Sequence, residues 1–234
     1  MTTVFIAGSI KIKRLDRKFK DRIDKIIASC FDVIVGDADG ADTAIQTYLF
    51  EQGGSNITVY CSGSRVRNNV GNWPIRSVTT DFAPGTRAYF TAKDLAMAEA
   101  ADYGLMLWDA ASTGTLGNVI ELLSRKRKSA VFVNKSREFM SVGDVAQLQA
   151  LVGRMSLHAR HKADEKLNLH KRIEALSHEQ LHMFASPKSV VTEIRRPAGQ
   201  AAVSAPQVSC RRVGESSSPF GQFKAPASMN TRLK

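Results

Sequence analysis

Residues 101–123 read ADYGLMLWDAASTGTLGNVIELL. The apolar run Tyr103 to Trp108 stops at Asp109, a polar turn holding Gly114 and Gly117 follows, and an amphipathic stretch then carries Asn118 and Glu121. This is the pattern of a buried strand, a tight loop and the start of a helix. The first turn of a helix leaves N–H groups unpaired and carries partial positive charge, which suits an anion such as phosphate. Open parallel sheets place their binding clefts at the carboxyl ends of strands, where this loop would sit.

The same alternation runs through the first 135 residues. Strands are expected at 4–7, 32–35, 57–61, 103–108 and 130–133, and helices at 14–30, 41–51, 86–101 and 115–127. Residues 62–84 read as a long irregular loop. The fold class that follows is α/β: a Rossmann-like open parallel sheet with helices on both faces. Val145 to Met155 marks one more amphipathic helix, packed on the sheet. Three segments are expected: a Rossmann-like domain over 1–156, a charged helical extension over 157–184 that projects or pairs with another subunit, and a basic tail over 185–234. The tail holds five of the seven prolines and no sustained periodicity, so it reads as disordered.

The net charge of +11 is uneven: +4 falls on residues 1–156 and +7 on 157–234. A basic extension of this kind attracts nucleic acid or is merely solvated. Cys30, Cys61 and Cys210 form no CxxC pair, which points to a reducing, cytoplasmic compartment, with Cys30 in the core. The N-terminus does not read as a secretory signal, and no apolar run is long enough to span a membrane.

Three strand-end turns carry the candidate chemistry. Gly8 and Ser9 follow the first strand, and the glycine would let backbone approach a ligand. Gly36, Asp37, Asp39 and Gly40 follow the second, with Asp42 capping the next helix or favouring its N-terminus. Carboxylates repel bare phosphate, so Asp37 and Asp39 read as acceptors for ribose hydroxyls, as ligands of Mg²⁺, or as facing away from the anion. Asp109, Ser112, Thr113, Gly114, Thr115 and Asn118 form the third turn, whose hydroxyls and N–H groups would cradle phosphate. Glu121 shares a helix face with Asn118 and is the candidate catalytic residue, as a general base or as a stabiliser of positive charge at a sugar carbon. Arg65, Arg67, Arg76, Arg87 and Lys93 read as mostly solvated, with one or two free to clamp phosphate. Trp108 reads as partly core. His178 to His182 has the H-E-x-x-H spacing, but on a charged helix with no third ligand it is not assigned a metal.

The trio FIAGS, GDADGAD and GTLGNVIE resembles the SLOG superfamily. GDADGADTA is similar to the second-strand turn of its DNA-processing-protein and YpsA-like branches. GTLGNVIE is similar to the Gly-Thr loop of cytokinin-activating phosphoribohydrolases, and to the turn before the catalytic glutamate of nucleoside deoxyribosyltransferases. It lacks the Pro-Gly-Gly run of the phosphoribohydrolases, and Glu121 lies further along. The resemblance implies a site for a nucleotide-derived ligand built from these turns, and a homodimer. It leaves three functions open: hydrolysis of an N-glycosidic bond, sensing of a nucleotide without turnover, and nucleic-acid binding through the basic C-terminal extension.

Overall fold

The computed structural model describes residues 1–184, with side chains to Glu179. The expected disordered tail, and the His182 end of the H-E-x-x-H pattern, lie outside the described residues. Seven strands make one sheet: β1 (Thr3–Gly8), β2 (Asp32–Gly36), β3 (Ile57–Ser62), β4 (Ile75–Val78), β5 (Tyr103–Trp108), β6 (Lys128–Val133) and β7 (Glu138–Val142). Their order is β4-β3-β2-β1-β5-β6-β7, parallel throughout except for β7, which runs antiparallel to β6. The helices are α1 (Arg17–Ala28), α2 (Ala41–Glu51), α3 (Arg87–Ala100), α4 (Thr113–Ser124), α5 (Val145–Val152), α6 (Leu157–Leu167) and α7 (Leu169–Phe184). The α/β fold class read from the sequence is therefore the observed one.

Alternation along β1 shows why the strands read as continuous apolar runs. Phe5 and Ala7 join one core, with α3 to α7; Val4 and Ile6 join the other, with α1 and α2. A strand covered on both faces has no polar side to show. The chain moves outward from β1 to β4, then crosses back to β5 on the other side. The switch point thus falls between β1 and β5, where a doubly wound sheet opens its crevice.

Several elements differ from expectation. The stretch 62–84 contains the edge strand β4, which is short, largely exposed and without alternation. The rest of that stretch is pinned: Gln46 donates to the carbonyls of Gly36 (2.8 Å) and Asn68 (3.2 Å), and buried Trp73 donates to Gly54 (3.1 Å). Strand β7 follows a four-residue turn and was not expected. The charged helix begins at Leu157 and breaks at Asn168, which adopts φ 49°. Its two halves bury Ala159, Ala163, Leu169 and Leu176 in the core shared with α4 and α5, so they pack rather than project. Cys30 is exposed with φ 53°, just past the end of α1, and is not a core residue. Gly40, not Asp42, holds the cap position of α2, without a side-chain bond, and Asp42 lies in the first turn of the helix. Among the described residues no helix is long and apolar enough to cross a membrane.

Candidate functional site

The first and third turns meet at the switch point. Ser9 is fully buried, and its hydroxyl donates to Asp109 Oδ1 (3.1 Å) and lies 3.3 Å from Thr115 Oγ1. Asp109 Oδ1 also accepts the N–H groups of Ala111 (3.0 Å) and Ser112 (2.6 Å). Ser112 caps α4 by accepting from the amide of Thr115, and buried Trp108 donates to its carbonyl (3.0 Å). The hydroxyls of Ser9, Ser112 and Thr115 are thus engaged within the turns. Thr113 and Gly114 are left facing outward on the first turn of α4.

The second turn is joined to a buried charge network. Asp37 is 1% exposed; Arg67 grips it at 2.7 Å and 3.1 Å, and Lys93 Nζ lies 3.4 Å away. Burial pushes the Asp37 carboxyl up, but the Arg67 hydrogen bonds and the Lys93 charge together hold it below its ordinary value. Asp39 is exposed and accepts from Asn68 (2.9 Å). Lys93 is buried, against the expectation of a solvated side chain, and lies 3.6 Å from Asp94. Burial opposes its charge, yet Asp94, Asp42 and Asp37 raise its pKa above the usual lysine value. Gly36 makes room for this meeting, since a Cβ there would lie 2.6 Å from Lys93 Nζ. Among the described residues no three His, Cys, Asp or Glu side chains gather as a metal site.

Asp42 is buried beside this network. Burial lifts its pKa to about 6; Asp94 adds to that, while Lys93 and the amides of Ala38 and Gly8 oppose it. A carboxyl raised on folding contributes stability in full below its unfolded pKa, and that contribution is lost as pH climbs through the folded value. Two pH units at about 1.4 kcal/mol each set the scale at up to about 3 kcal/mol. Asp42→Asn keeps an acceptor for both amides and removes the charge. Melts from about pH 4 to pH 7 should show the variant gaining on the parent as pH rises. A pH-independent difference would contradict a buried, titrating Asp42.

The three turns do not enclose one cavity. Asp39 and Gly40 border a depression of about 780 Å³ along α1 and α2, flanked by Lys13, Arg14 and Lys20. Thr113, Gly114, Asn118 and Glu121 border a larger cleft of about 950 Å³. Gly8, Ser9, Gly36, Asp37, Asp109, Ser112 and Thr115 line neither.

The larger cleft lies between α3 and α4, with the α6–α7 junction at its side. Two helix N-termini open on it: Arg87 and Ala88 begin α3, and Thr113 and Gly114 begin α4. Arg87, Lys166 and Arg172 bring positive charge, and Asp94 and Glu121 bring negative charge. Both Glu121 oxygens are occupied, one by Arg125 and the other by Arg172 at 2.7 Å. Burial raises the Glu121 carboxyl, but these two arginines outweigh it and keep the group ionised. Burial pushes the Asp94 carboxyl up. Asn118 is 8% exposed and borders the cleft, and its side chain has no hydrogen-bond partner among the described residues.

Among solved structures, the chain is similar to DNA processing protein A. The Helicobacter pylori protein, described by its single-stranded DNA binding mode, is 16% identical, with a TM-score of 0.44 over 71% of this chain and 80% of its own. The Streptococcus pneumoniae protein is 17% identical, with a TM-score of 0.40 over 56% of this chain and half of its own length. At these identities and TM-scores no residue role is carried across. No protein-family model and no curated protein matches the chain.

Sequence reasoning missed Arg172, because it lies 51 residues from its partner Glu121. It also missed the place of Lys93. A signal for that one exists: Lys93 and Met97 are one helical turn apart, and both are buried.

Proposed function

We propose that this protein, a SLOG-type domain, binds a phosphorylated, nucleotide-derived small molecule in the α3–α4 cleft. One observation carries the reading: two helix N-termini open on a nucleotide-sized cleft that also holds three cationic side chains and the unpartnered Asn118. The cleft falls within the size range of small-molecule pockets, and helix N-termini favour anions. In this reading Glu121 anchors Arg172 at the cleft wall and the ligand is bound without turnover. In the hydrolytic version Glu121 would instead assist cleavage of the N-glycosidic bond.

Calorimetry with ribose 5-phosphate and the four common nucleoside 5′-monophosphates tests the proposal. Arg87→Ala, an exposed change, should weaken phosphate-bearing ligands by about tenfold, the scale of one charge-assisted hydrogen bond. No binding to any member of the panel would refute the reading. Free base appearing on incubation with a monophosphate would restore Glu121 to catalysis.

A second reading is nucleic-acid binding. Six of residues 11–20 are basic and one is acidic, and Lys13, Arg14 and Lys20 border the smaller depression. Binding of an oligonucleotide that falls steeply with salt, and is not displaced by mononucleotides, would favour it.

A further inference from the structure

The cleft face of α4 has a composition that helix stability does not explain. Thr113, Gly114, Gly117, Asn118 and Glu121 recur at helical spacing along it, while Leu116, Val119, Ile120 and Leu123 fill the buried side. Glycine inside a helix is unfavourable relative to alanine. Packing does not demand it here. A Cβ at Gly114 would meet nothing nearer than Ser112 Oγ at 4.0 Å, and one at Gly117 would meet Leu167 Cδ2 at an ordinary 3.5 Å. Two glycines that the fold could replace therefore expose bare backbone to the cleft.

Asn118 lies beside them, one turn after Gly114. It is 8% exposed, its amide is open to the cleft and bonded to no described residue, and it offers a donor and an acceptor side by side. Across the cleft stand Phe82 and Phe90 of the α3 side. The guanidinium of Arg67 already stacks 4.6 Å from the Phe90 ring, which holds that ring in place. A slot with two glycines on one wall, phenylalanine rings on the α3 side and an amide beside the glycines suits a planar ring that carries an adjacent donor and acceptor. A nucleobase has that chemistry: its faces stack and its edge pairs with an amide.

We infer that Gly114, Gly117 and Asn118 form a nucleobase-reading wall, with Asn118 pairing the base edge and the glycines admitting the ring. This rests on the proposed ligand class and adds which part of the ligand the cleft recognises. Direct binding of ribose 5-phosphate and of the four nucleoside 5′-monophosphates to the full chain tests it. At least one monophosphate should bind about tenfold or more tighter than ribose 5-phosphate, because only the base can stack and pair with the Asn118 amide. Asn118→Leu should erase that advantage, so that the monophosphate binds no tighter than ribose 5-phosphate.

Gly117→Ala separates recognition from folding. It should raise the melting temperature by about 2–4 °C while weakening the monophosphate about tenfold. A structural role alone would move stability and affinity in the same direction. Ribose 5-phosphate binding as tightly as every monophosphate, or both variants keeping full monophosphate affinity, would overturn the inference and leave the phosphate site standing. Failure of all five probes would overturn both.

Discussion

Lys93→Met is expected to destabilise the protein by about 3–5 kcal/mol, the usual scale for removing one partner of a buried ion pair. For a chain of this size that lowers the melting temperature by roughly 10 °C or more. The side chain is 4% exposed, and its ammonium lies 3.4 Å from Asp37 and 3.6 Å from Asp94. Methionine fills nearly the same volume, so packing is kept and the charge is lost. Arg67 would still hold Asp37. Asp42 would be left buried with its nearest cation gone and only the more distant Arg67 charge acting on it, and water cannot replace that cation cheaply there.

Two features make the result specific to charge. The deficit should shrink as pH falls toward about 5, because burial has already raised the Asp42 and Asp94 carboxyls and their protonation relieves the mismatch. The double variant Lys93→Met, Asp42→Asn should lose less than Lys93→Met alone, since neighbouring charges couple. Urea denaturation at two pH values reads both. A deficit that ignores pH and is unaffected by Asp42→Asn would assign the loss to packing instead.

The buried network also bears on the cleft. Lys93 faces the sheet, while its neighbour Asp94 borders the cleft, so α3 carries an internal and an external face within two residues. Arg67 serves both sides too: its guanidinium grips Asp37 and stacks on Phe90. The turn after β2 therefore acts at a distance. Asp37 and its partners hold α3 in place, and α3 in turn presents Arg87 and Phe90 to the cleft.

The sheet was legible because its strands are apolar on both faces, and because β1 and β2 end in glycine and β5 stops at Asp109. Five of the seven strands could be read this way. β4 and β7 could not: IRSV and EFMSV are short and half exposed, and their pairing comes from neighbours rather than from pattern. The meeting of Ser9 with Asp109 and Thr115 follows from topology, since both turns end strands beside the switch point. The cleft itself was only half legible. Thr113, Gly114, Asn118 and Glu121 lie on one helix face and could be grouped from spacing. Their partners Arg87, Lys166 and Arg172 come from distant elements, and no local spacing announces them. The α6–α7 segment was misjudged because its few buried residues, Ala159, Ala163, Leu169 and Leu176, make a thin stripe among many charges.

Gly40→Ala is the second large effect, expected at about 2–6 kcal/mol from backbone strain and overlap together. Gly40 adopts φ 80° and ψ −116°, a region that L-residues avoid. A Cβ there would also overlap the carbonyl of Ile10, a backbone atom that no rotamer change can move. This contact locks the turn after β1 against the start of α2, which is why the first two strand-end turns come together. Gly53 supplies the control: it too has positive φ, at 70°, but a Cβ there meets nothing within 4 Å. Gly53→Ala should therefore cost only about 1 kcal/mol, from conformation alone. Urea titrations of the two variants separate the terms, and the excess at Gly40 measures the close approach of the two turns. Equal losses at Gly40 and Gly53 would mean that the Ile10 carbonyl yields, and that the turns are held together by the Asp42 contacts to the Gly8 and Ala38 amides instead.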